Sequence, residues 1–122
     1  RITGDKLMVM TSSILCLALV IHNESRGEPK QGKAAVAHVV LNRAKTHDKV
    51  CKTVHSKGQF YTKPVKNESS KAWVDSKVLA KKVLSKQIKD PTKGAKYFHN
   101  HTVKPKWKLK RVGKIGKHTF YK

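Results

Sequence analysis

The chain has few carboxylates and few arginines for its charge. Only seven of its 122 residues are aspartate or glutamate, against 28 lysines and arginines, and the formal net charge is +21. Only four of the basic residues are arginine. Lysine is a hydrated point charge without the bidentate fork that reads base edges, so the composition predicts diffuse attraction to a polyanion. Nucleic acid, an anionic membrane face and a bacterial wall with its anionic polymers all fit that description.

Long apolar runs and common catalytic motifs are also missing. The segment from Met8 to Ile21 is too short to span a bilayer. There is no glycine-rich phosphate loop, no His-Glu-x-x-His and no Cys-x-x-Cys. No nearby carboxylate or cysteine completes a ligand set with His99, His101 and His118, so we predict neither a metal site nor a cofactor.

Cysteine occurs only twice, at Cys16 and Cys51, without metal-ligand spacing. The pair permits a disulfide without implying one. Because Cys16 lies in an apolar helical segment, we predict it to be a small buried side chain.

The length predicts a single domain over residues 1–122, and the patterning predicts a mainly helical α+β fold. Ser69 or Ser70 is expected to cap the third helix. The tail from Ala95 to Lys122 is rich in aromatic and β-branched residues and predicts short strands or extended loops. The remaining predicted segments are a helix over Leu7–Ile21, a loop over Asn23–Gly32, a helix over Lys33–Lys45, a loop or irregular strand over Thr46–Lys66, and a helix over Ser70–Gln87. The predicted inner face of the third helix consists of Trp73, Val74, Val78, Leu79, Val83 and Leu84.

Glu24 is the most informative residue. It follows the nearly uncharged segment Leu7–Ile21 and precedes Gly27 and Pro29. A carboxylate there faces the negative end of the helix dipole and low-dielectric packing, and both raise its pKa. A carboxyl group protonated near neutral pH is what a general acid requires.

Several segments, in order and with compatible spacing, resemble the SleB/CwlJ-type cell-wall hydrolases, which include spore-cortex lytic enzymes and phage lysins. The resemblance covers roughly residues 15 to 121. The segments are Ala18-Leu-Val-Ile-His-Asn-Glu-Ser-Arg-Gly-Glu-Pro29 with Gly32-Lys-Ala-Ala-Val-Ala-His-Val-Val-Leu-Asn-Arg43, then Gly58-Gln-Phe60, then Asp90-Pro-Thr-Lys-Gly-Ala-Lys-Tyr-Phe-His-Asn100, and Ile115-Gly-Lys-His-Thr-Phe-Tyr121.

The resemblance implies a lysozyme-like, mainly helical fold with a small β or irregular lobe. It also implies cleavage of the β-1,4 bond between N-acetylmuramic acid and N-acetylglucosamine in peptidoglycan. Glu24 matches the catalytic acid of the family. The expected substrate-binding residues are Glu28, a second family acid, together with Gln59, Phe60, Tyr97, Phe98, Asn100 and His118.

The number of acids separates two mechanisms. A hydrolase needs a second carboxylate, for which Glu28, Asp75 and Asp90 are candidates, whereas a lytic transglycosylase needs one acid that later acts as base. We favour the transglycosylase, acting on the bacterial wall and drawn there by its lysines. The alternative from another class is a basic nucleic-acid-binding module, which the apolar helix ending in Glu24 and the scarcity of arginine disfavour. The high charge in a compact domain favours a phage lysin or virion-associated enzyme as the source.

Overall fold

The computed structural model describes the backbone of residues 4–122 and the side chains of residues 11–122. The side chains of residues 7–10, at the start of the helix predicted over Leu7–Ile21, lie outside the described ones. Helices come first and strands last, as the composition predicts. The elements are α1 (Gly4–Glu24), α2 (Lys30–Ala44), a 3-10 turn (His47–Lys49), α3 (Val50–Val54), α4 (Lys71–Leu84), β1 (Tyr97–Asn100), β2 (Arg111–Ile115) and β3 (His118–Tyr121).

Helix α1 lies at the centre of the helical part and contacts α2, α3 and α4. In its last two turns Leu17, Val20 and Ile21 are fully buried. Each such side chain contributes about 1.5–3 kcal/mol relative to an exposed one. The end of α1 that carries Glu24 is therefore firmly anchored. No helix in the described part of the chain is both long and apolar enough to cross a membrane.

The connection from α1 to α2 is shorter than predicted. It comprises residues 25–29 instead of Asn23–Gly32, because α1 continues to Glu24 and α2 begins at Lys30. Pro29 precedes α2 in an extended conformation, and its carbonyl accepts a 3.0 Å hydrogen bond from the Lys33 N–H. Proline suits this position, where a backbone N–H has no helical acceptor.

The segment predicted as a loop or irregular strand over Thr46–Lys66 contains the 3-10 turn and α3, so that prediction was wrong in part. Val50 and Val54, one helical turn apart, are both buried. Five residues are too few to show helical periodicity in sequence, and packing against α1 and α2 stabilises this short helix.

Cys16 and Cys51 form a disulfide that joins α1 to α3. Cys16 is half-buried and bonded to Cys51, so its prediction as a small buried side chain was wrong. The apolar setting of Cys16 did not reveal the pairing, which depends on how α3 folds back onto α1.

Ser70 caps α4 as predicted, since its Oγ accepts a 3.2 Å hydrogen bond from the Trp73 N–H. The predicted inner face is wrong at Val74 and Val78, which are 42% and 48% exposed. Ser76 and Ala80 are buried in their place, because these small residues allow α4 to pack closely on α1.

The sheet has the order β1-β3-β2, with all neighbours antiparallel. Phe98 pairs with Phe120, which is buried in the core, and Tyr97 pairs with Tyr121. Because strand side chains alternate, Phe98 and Phe120 lie on the inner face, and Tyr97 and Tyr121 on the outer face. The predicted small β lobe is confirmed.

Candidate active site

Glu24 is the last residue of α1 and is half-buried. Burial raises the pKa of its carboxyl group, while a hydrogen bond from the Tyr61 backbone N–H acts in the opposite direction. This is the predicted direction of the pKa shift, and desolvation is its main cause. A raised pKa favours the protonated form, which is the form that a general acid needs.

Ser25 closes the helix directly after Glu24. Its N–H and its Oγ both donate to the Ile21 carbonyl, at 3.1 and 2.7 Å, and its side chain is fully buried. The two hydrogen bonds satisfy a carbonyl at the helix end and fix the direction in which the chain leaves α1.

Glu28 is held by the turn between β2 and β3. Its Oε1 accepts a 2.8 Å hydrogen bond from the Lys117 N–H and lies 3.0 Å from His118 Nδ1. The Glu28 and His118 side chains are only 8% and 6% exposed. A Cβ on Gly116 would lie 2.5 Å from Glu28 Oε2, so the carboxylate rests directly on that glycine. Glu28 thus connects the α1–α2 turn to the sheet.

His118 lies between the two acidic residues. Burial lowers the pKa of its imidazole, although Glu28 and a hydrogen bond to the Glu24 backbone carbonyl both raise it. Because burial dominates, the ring is predominantly neutral at neutral pH. His118 therefore positions the Glu24 backbone without adding a permanent charge.

Phe60 and Phe98 adjoin these residues. The Phe98 ring centroid is 5.2 Å from that of His118 and 6.4 Å from that of Phe60. Phe60 directly precedes Tyr61, whose N–H binds the Glu24 carboxylate. Glu24, Phe60, Phe98, His118 and the Tyr61 N–H together form what we call the Glu24 site.

Arg43 on α2 was not among the predicted site residues. Its guanidinium donates to Gln59 Oε1 and lies 4.8 Å from the Phe60 ring centroid and 5.5 Å from that of Tyr97. Two features of the sequence could have indicated a role for Arg43: it is one of only four arginines, and it lies inside a segment of family resemblance. Gln59 is thereby tied to α2.

Tyr97 is not part of the Glu24 site, whereas Asn100 pairs with His118 across β1 and β3. Tyr97 projects from the outer face of the sheet. Asn100 is exposed, and its Oδ1 accepts a 2.9 Å hydrogen bond from the Thr102 N–H, which closes the turn after β1. Their assignment as substrate-binding residues remains a prediction.

His99 and His118 lie on opposite faces of the sheet. His99 Nε2 is 2.9 Å from Tyr121 Oη, and its Nδ1 is 2.8 Å from the Asn100 carbonyl oxygen. Among the described residues, no three His, Cys, Asp or Glu side chains are grouped to hold a metal ion.

A cleft of about 440 Å³ lies beside the end of α1. It is bounded by His22, Asn23 and Arg26 on one side and by residues 63–67 and Ser70 on the other. Asn23 Nδ2 donates to the Lys63 carbonyl at 2.9 Å, which holds this segment against α1. Glu24 lies between Asn23 and Arg26 in the chain but is not among the residues that line this cleft.

Comparison with known proteins identifies the family of this chain. The model of the family described as Cell Wall Hydrolase matches residues 27–121. The chain belongs to this cell wall hydrolase family. The matched range begins just after Glu24, whereas the similarity to individual relatives extends over nine-tenths of the chain.

Two curated relatives are spore cortex-lytic enzymes. That of Bacillus cereus is 34% identical over 91% of this chain and 44% of its own length, and that of Bacillus subtilis is 28% identical over 89% and 37%. The chain thus spans less than half the length of these relatives. The resemblance predicted from the sequence motifs is confirmed.

Two solved structures share the fold. The catalytic domain of the Bacillus cereus SleB protein superposes with a TM-score of 0.67 at 29% identity, covering 92% of this chain and 91% of that domain. The catalytic domain of the germination-specific lytic transglycosylase SleB from Bacillus anthracis gives 0.66 at 31% identity, covering 90% and 93%. The predicted lysozyme-like, helix-rich α+β fold is therefore confirmed.

Proposed function

We propose that this chain cleaves the β-1,4 bond between N-acetylmuramic acid and N-acetylglucosamine in peptidoglycan as a lytic transglycosylase, with Glu24 as the only catalytic carboxyl group. The observation that carries the proposal is the state of Glu24: it is half-buried, its pKa is raised, and it is held at the end of an anchored helix. Membership of the cell wall hydrolase family and the likeness to the Bacillus anthracis lytic transglycosylase support it.

The contacts of the other acids favour a single catalytic carboxyl group. Glu28 is engaged by Lys117 and His118. Asp75 is exposed on α4, where it pairs with Lys71 at 2.7 Å. One oxygen of each carboxylate is therefore engaged, Oε1 of Glu28 and Oδ2 of Asp75.

Asp90 is similarly occupied. Its oxygens accept hydrogen bonds from Asn42, Thr92 and Gly94 at 2.6–2.9 Å. Burial alone would raise the pKa of Asp90, but these hydrogen bonds hold it below the usual value. The carboxylate therefore stabilises the 90–95 turn, a structural role that leaves it little capacity to act as a base.

With a single catalytic carboxyl group, the reaction moves one proton from Glu24 to the substrate and one proton from the substrate back to Glu24. Protonated Glu24 donates to the glycosidic oxygen as the bond from that oxygen to muramic C1 breaks, and the ring carbon develops oxocarbenium character. The resulting carboxylate, stabilised by the Tyr61 N–H, accepts the proton of the muramic C6 hydroxyl as its oxygen bonds to C1. A 1,6-anhydro end forms, Glu24 is protonated again, and no water is consumed.

Replacing the acid tests the role of Glu24. Glu24→Gln preserves the shape but removes the transferable proton, so dye release from labelled peptidoglycan should fall by at least about 10²-fold. Glu68→Gln, the same chemical change at an exposed glutamate, is the matched control. A folded Glu24→Gln protein with near-normal lysis would reject the assignment.

The mass of the products tests the reaction type. Anhydro muropeptides are about 18 Da lighter than hydrolytic products, because ring closure replaces water as the nucleophile. Glu28→Gln should lower activity modestly and leave the product type unchanged. An N-acetylmuramidase would instead give reducing-end muramic acid as its main product. One of the variants Glu28→Gln, Asp75→Asn or Asp90→Asn would then be nearly as damaging as Glu24→Gln.

We also propose the bacterial cell wall as the place of action, with the lysine-rich surface attracted to its anionic polymers. The formal charge of +21 supports this proposal, since a single-sign surface raises the local concentration of an oppositely charged polymer.

A further inference from the structure

The outer face of the sheet carries a cluster of four rings. Tyr97, His99 and Tyr121 project from β1 and β3, and Trp107 reaches them from the segment between β1 and β2. The Trp107 ring centroid lies 6.1 Å from that of Tyr97, 5.7 Å from His99 and 5.3 Å from Tyr121. We call these four residues the outer-sheet aromatic patch.

The patch is open to solvent, since Trp107 is 41% and Tyr97 39% exposed. Exposed apolar rings gathered in one place are typical of a binding surface. Aromatic rings of this kind stack against the C–H faces of sugar rings as well as against other flat groups.

The surroundings of the patch are strongly positive. Residues 96–122 contain nine lysine or arginine residues and no aspartate or glutamate. Exposed lysines at positions 104, 106, 108 and 110 alternate along the segment that carries Trp107. A ligand on the patch would therefore combine ring faces with negative charge.

Arg43 connects the patch to the Glu24 site around the edge strand β1. Its guanidinium contacts the Phe60 ring on one side and the Tyr97 ring on the other. Phe60 adjoins Tyr61, whose N–H binds Glu24. A strand that passes through the Glu24 site can thus continue across Arg43 onto Tyr97 and Trp107.

We propose that the outer-sheet aromatic patch is an accessory binding surface for an anionic glycan, holding a distant part of the strand that is cleaved at Glu24. The proposal rests on the proposed function. Sugar rings stack on Trp107 and Tyr97, and the alternating lysines pair with carboxylates or phosphates on the strand. The continuity with the Glu24 site favours this ligand over single-stranded nucleic acid, which also combines flat rings with negative charge.

Binding is best measured in the inactive Glu24→Gln background with purified insoluble peptidoglycan. Trp107→Ala should weaken binding about tenfold, the loss typical of a central aromatic contact. The pair Lys106→Gln and Lys108→Gln should weaken it more than Lys81→Gln and Lys89→Gln, an equal charge change at exposed lysines elsewhere. The lysine variants lie on an exposed segment, so they keep the test decisive if Trp107→Ala unfolds the sheet.

Two forms of the wall separate the sources of negative charge. If the patch variants lose the same affinity for peptidoglycan stripped of teichoic polymers as for unstripped wall, the ligand is the glycan strand with its peptide carboxylates. A loss seen only on unstripped wall would assign the ligand to the phosphate polymer and would overturn the proposal that the patch holds part of the cleaved strand.

Kinetics distinguishes this proposal from the proposed function. With active enzyme, Trp107→Ala should raise the KM for long strands several-fold without changing kcat, with short fragments that cannot reach the patch as the internal reference. Failure of the proposed function would instead appear as the absence of glycan cleavage on every substrate, which leaves the binding measurement intact.

The proposal is overturned if Trp107→Ala binds the wall as tightly as its parent does. It is also overturned if the control lysine variants lose as much affinity for the wall as the variants beside Trp107. It is also overturned if the patch variants lose affinity for single-stranded DNA or anionic vesicles but keep their affinity for the wall.

Discussion

At the scale of single residues, the environment that equips Glu24 for proton transfer also opposes folding. Burial raises the pKa of the carboxyl group in the folded protein above the ordinary value of 4.5. The folded state therefore prefers the protonated form, and it loses stability relative to the unfolded chain as pH rises and the buried carboxyl group ionises.

This conflict predicts that Glu24→Gln stabilises the fold at neutral pH. The difference in melting temperature between variant and parent should be small below about pH 4.5 and should grow as pH rises through the folded pKa. Thermal unfolding across this pH range measures it, with Glu68→Gln as the exposed control. An offset that does not change with pH would show that the ionisation of Glu24 is not the cause.

The contact between Glu28 and Gly116 supports a second prediction at this scale. Gly116 has φ +59°, and an added Cβ would lie 2.5 Å from Glu28 Oε2. Gly116→Ala should destabilise the protein by about 1–2 kcal/mol or more, through the backbone conformation and the displaced carboxylate.

Gly58→Ala provides the comparison for Gly116→Ala. Gly58 also has a positive φ, +72°, but nothing lies within 4 Å of an added Cβ. The loss in free energy of unfolding for Gly116→Ala beyond that for Gly58→Ala, measured by denaturant unfolding, therefore reports the cost of displacing Glu28. Equal losses at the two glycines would mean that the carboxylate moves without cost.

At the scale of elements, α3 and the disulfide decide how the segment before Tyr61 is held. The disulfide joins Cys16 of α1 to Cys51 of α3 across 35 residues. Residues 55–61 follow directly from α3 and end at the N–H that binds Glu24. The covalent link and the Glu24 site are thus connected by one short stretch of chain.

Removing the disulfide should lower the stability of the fold substantially. Closure of a loop of this length restricts the unfolded chain by about 3–4 kcal/mol. The double variant Cys16→Ser with Cys51→Ser, or the parent protein in reductant, should therefore melt at a lower temperature. The double variant is its own control, because its melting temperature should not respond to reductant. A parent protein equally indifferent to reductant would contradict a stabilising role.

At the scale of the whole molecule, charge dominates encounters with other polymers. With a formal charge of +21, the attraction to an anionic wall should be long-ranged and screened by salt. Binding of the Glu24→Gln protein to intact wall should weaken steeply between about 0.01 M and 0.15 M salt, where the screening length falls from roughly 30 to 8 Å. Activity on short neutral fragments should change much less.

Co-sedimentation with intact wall over this salt range measures the effect. Binding that is indifferent to salt would contradict a charge-driven encounter and would indicate specific contacts as its source.

Local features of the structure could be predicted from the sequence. The Ser70 cap, the end of α1 near Glu24 and the raised pKa of that acid depend on residues within a turn or two of each other. The motif resemblance likewise identified the family and its fold. Short-range patterns suffice for such features because helix ends and caps are stabilised by neighbouring backbone groups.

Only the tertiary structure decided which side chains meet. Glu28 binds Lys117 across 89 residues, and Arg43 contacts Gln59 and Tyr97 from different elements. The exposure of Val74 and the short helix α3 likewise follow from what packs against them. Such contacts depend on how the helices and the sheet dock, and no local pattern in the chain encodes that docking.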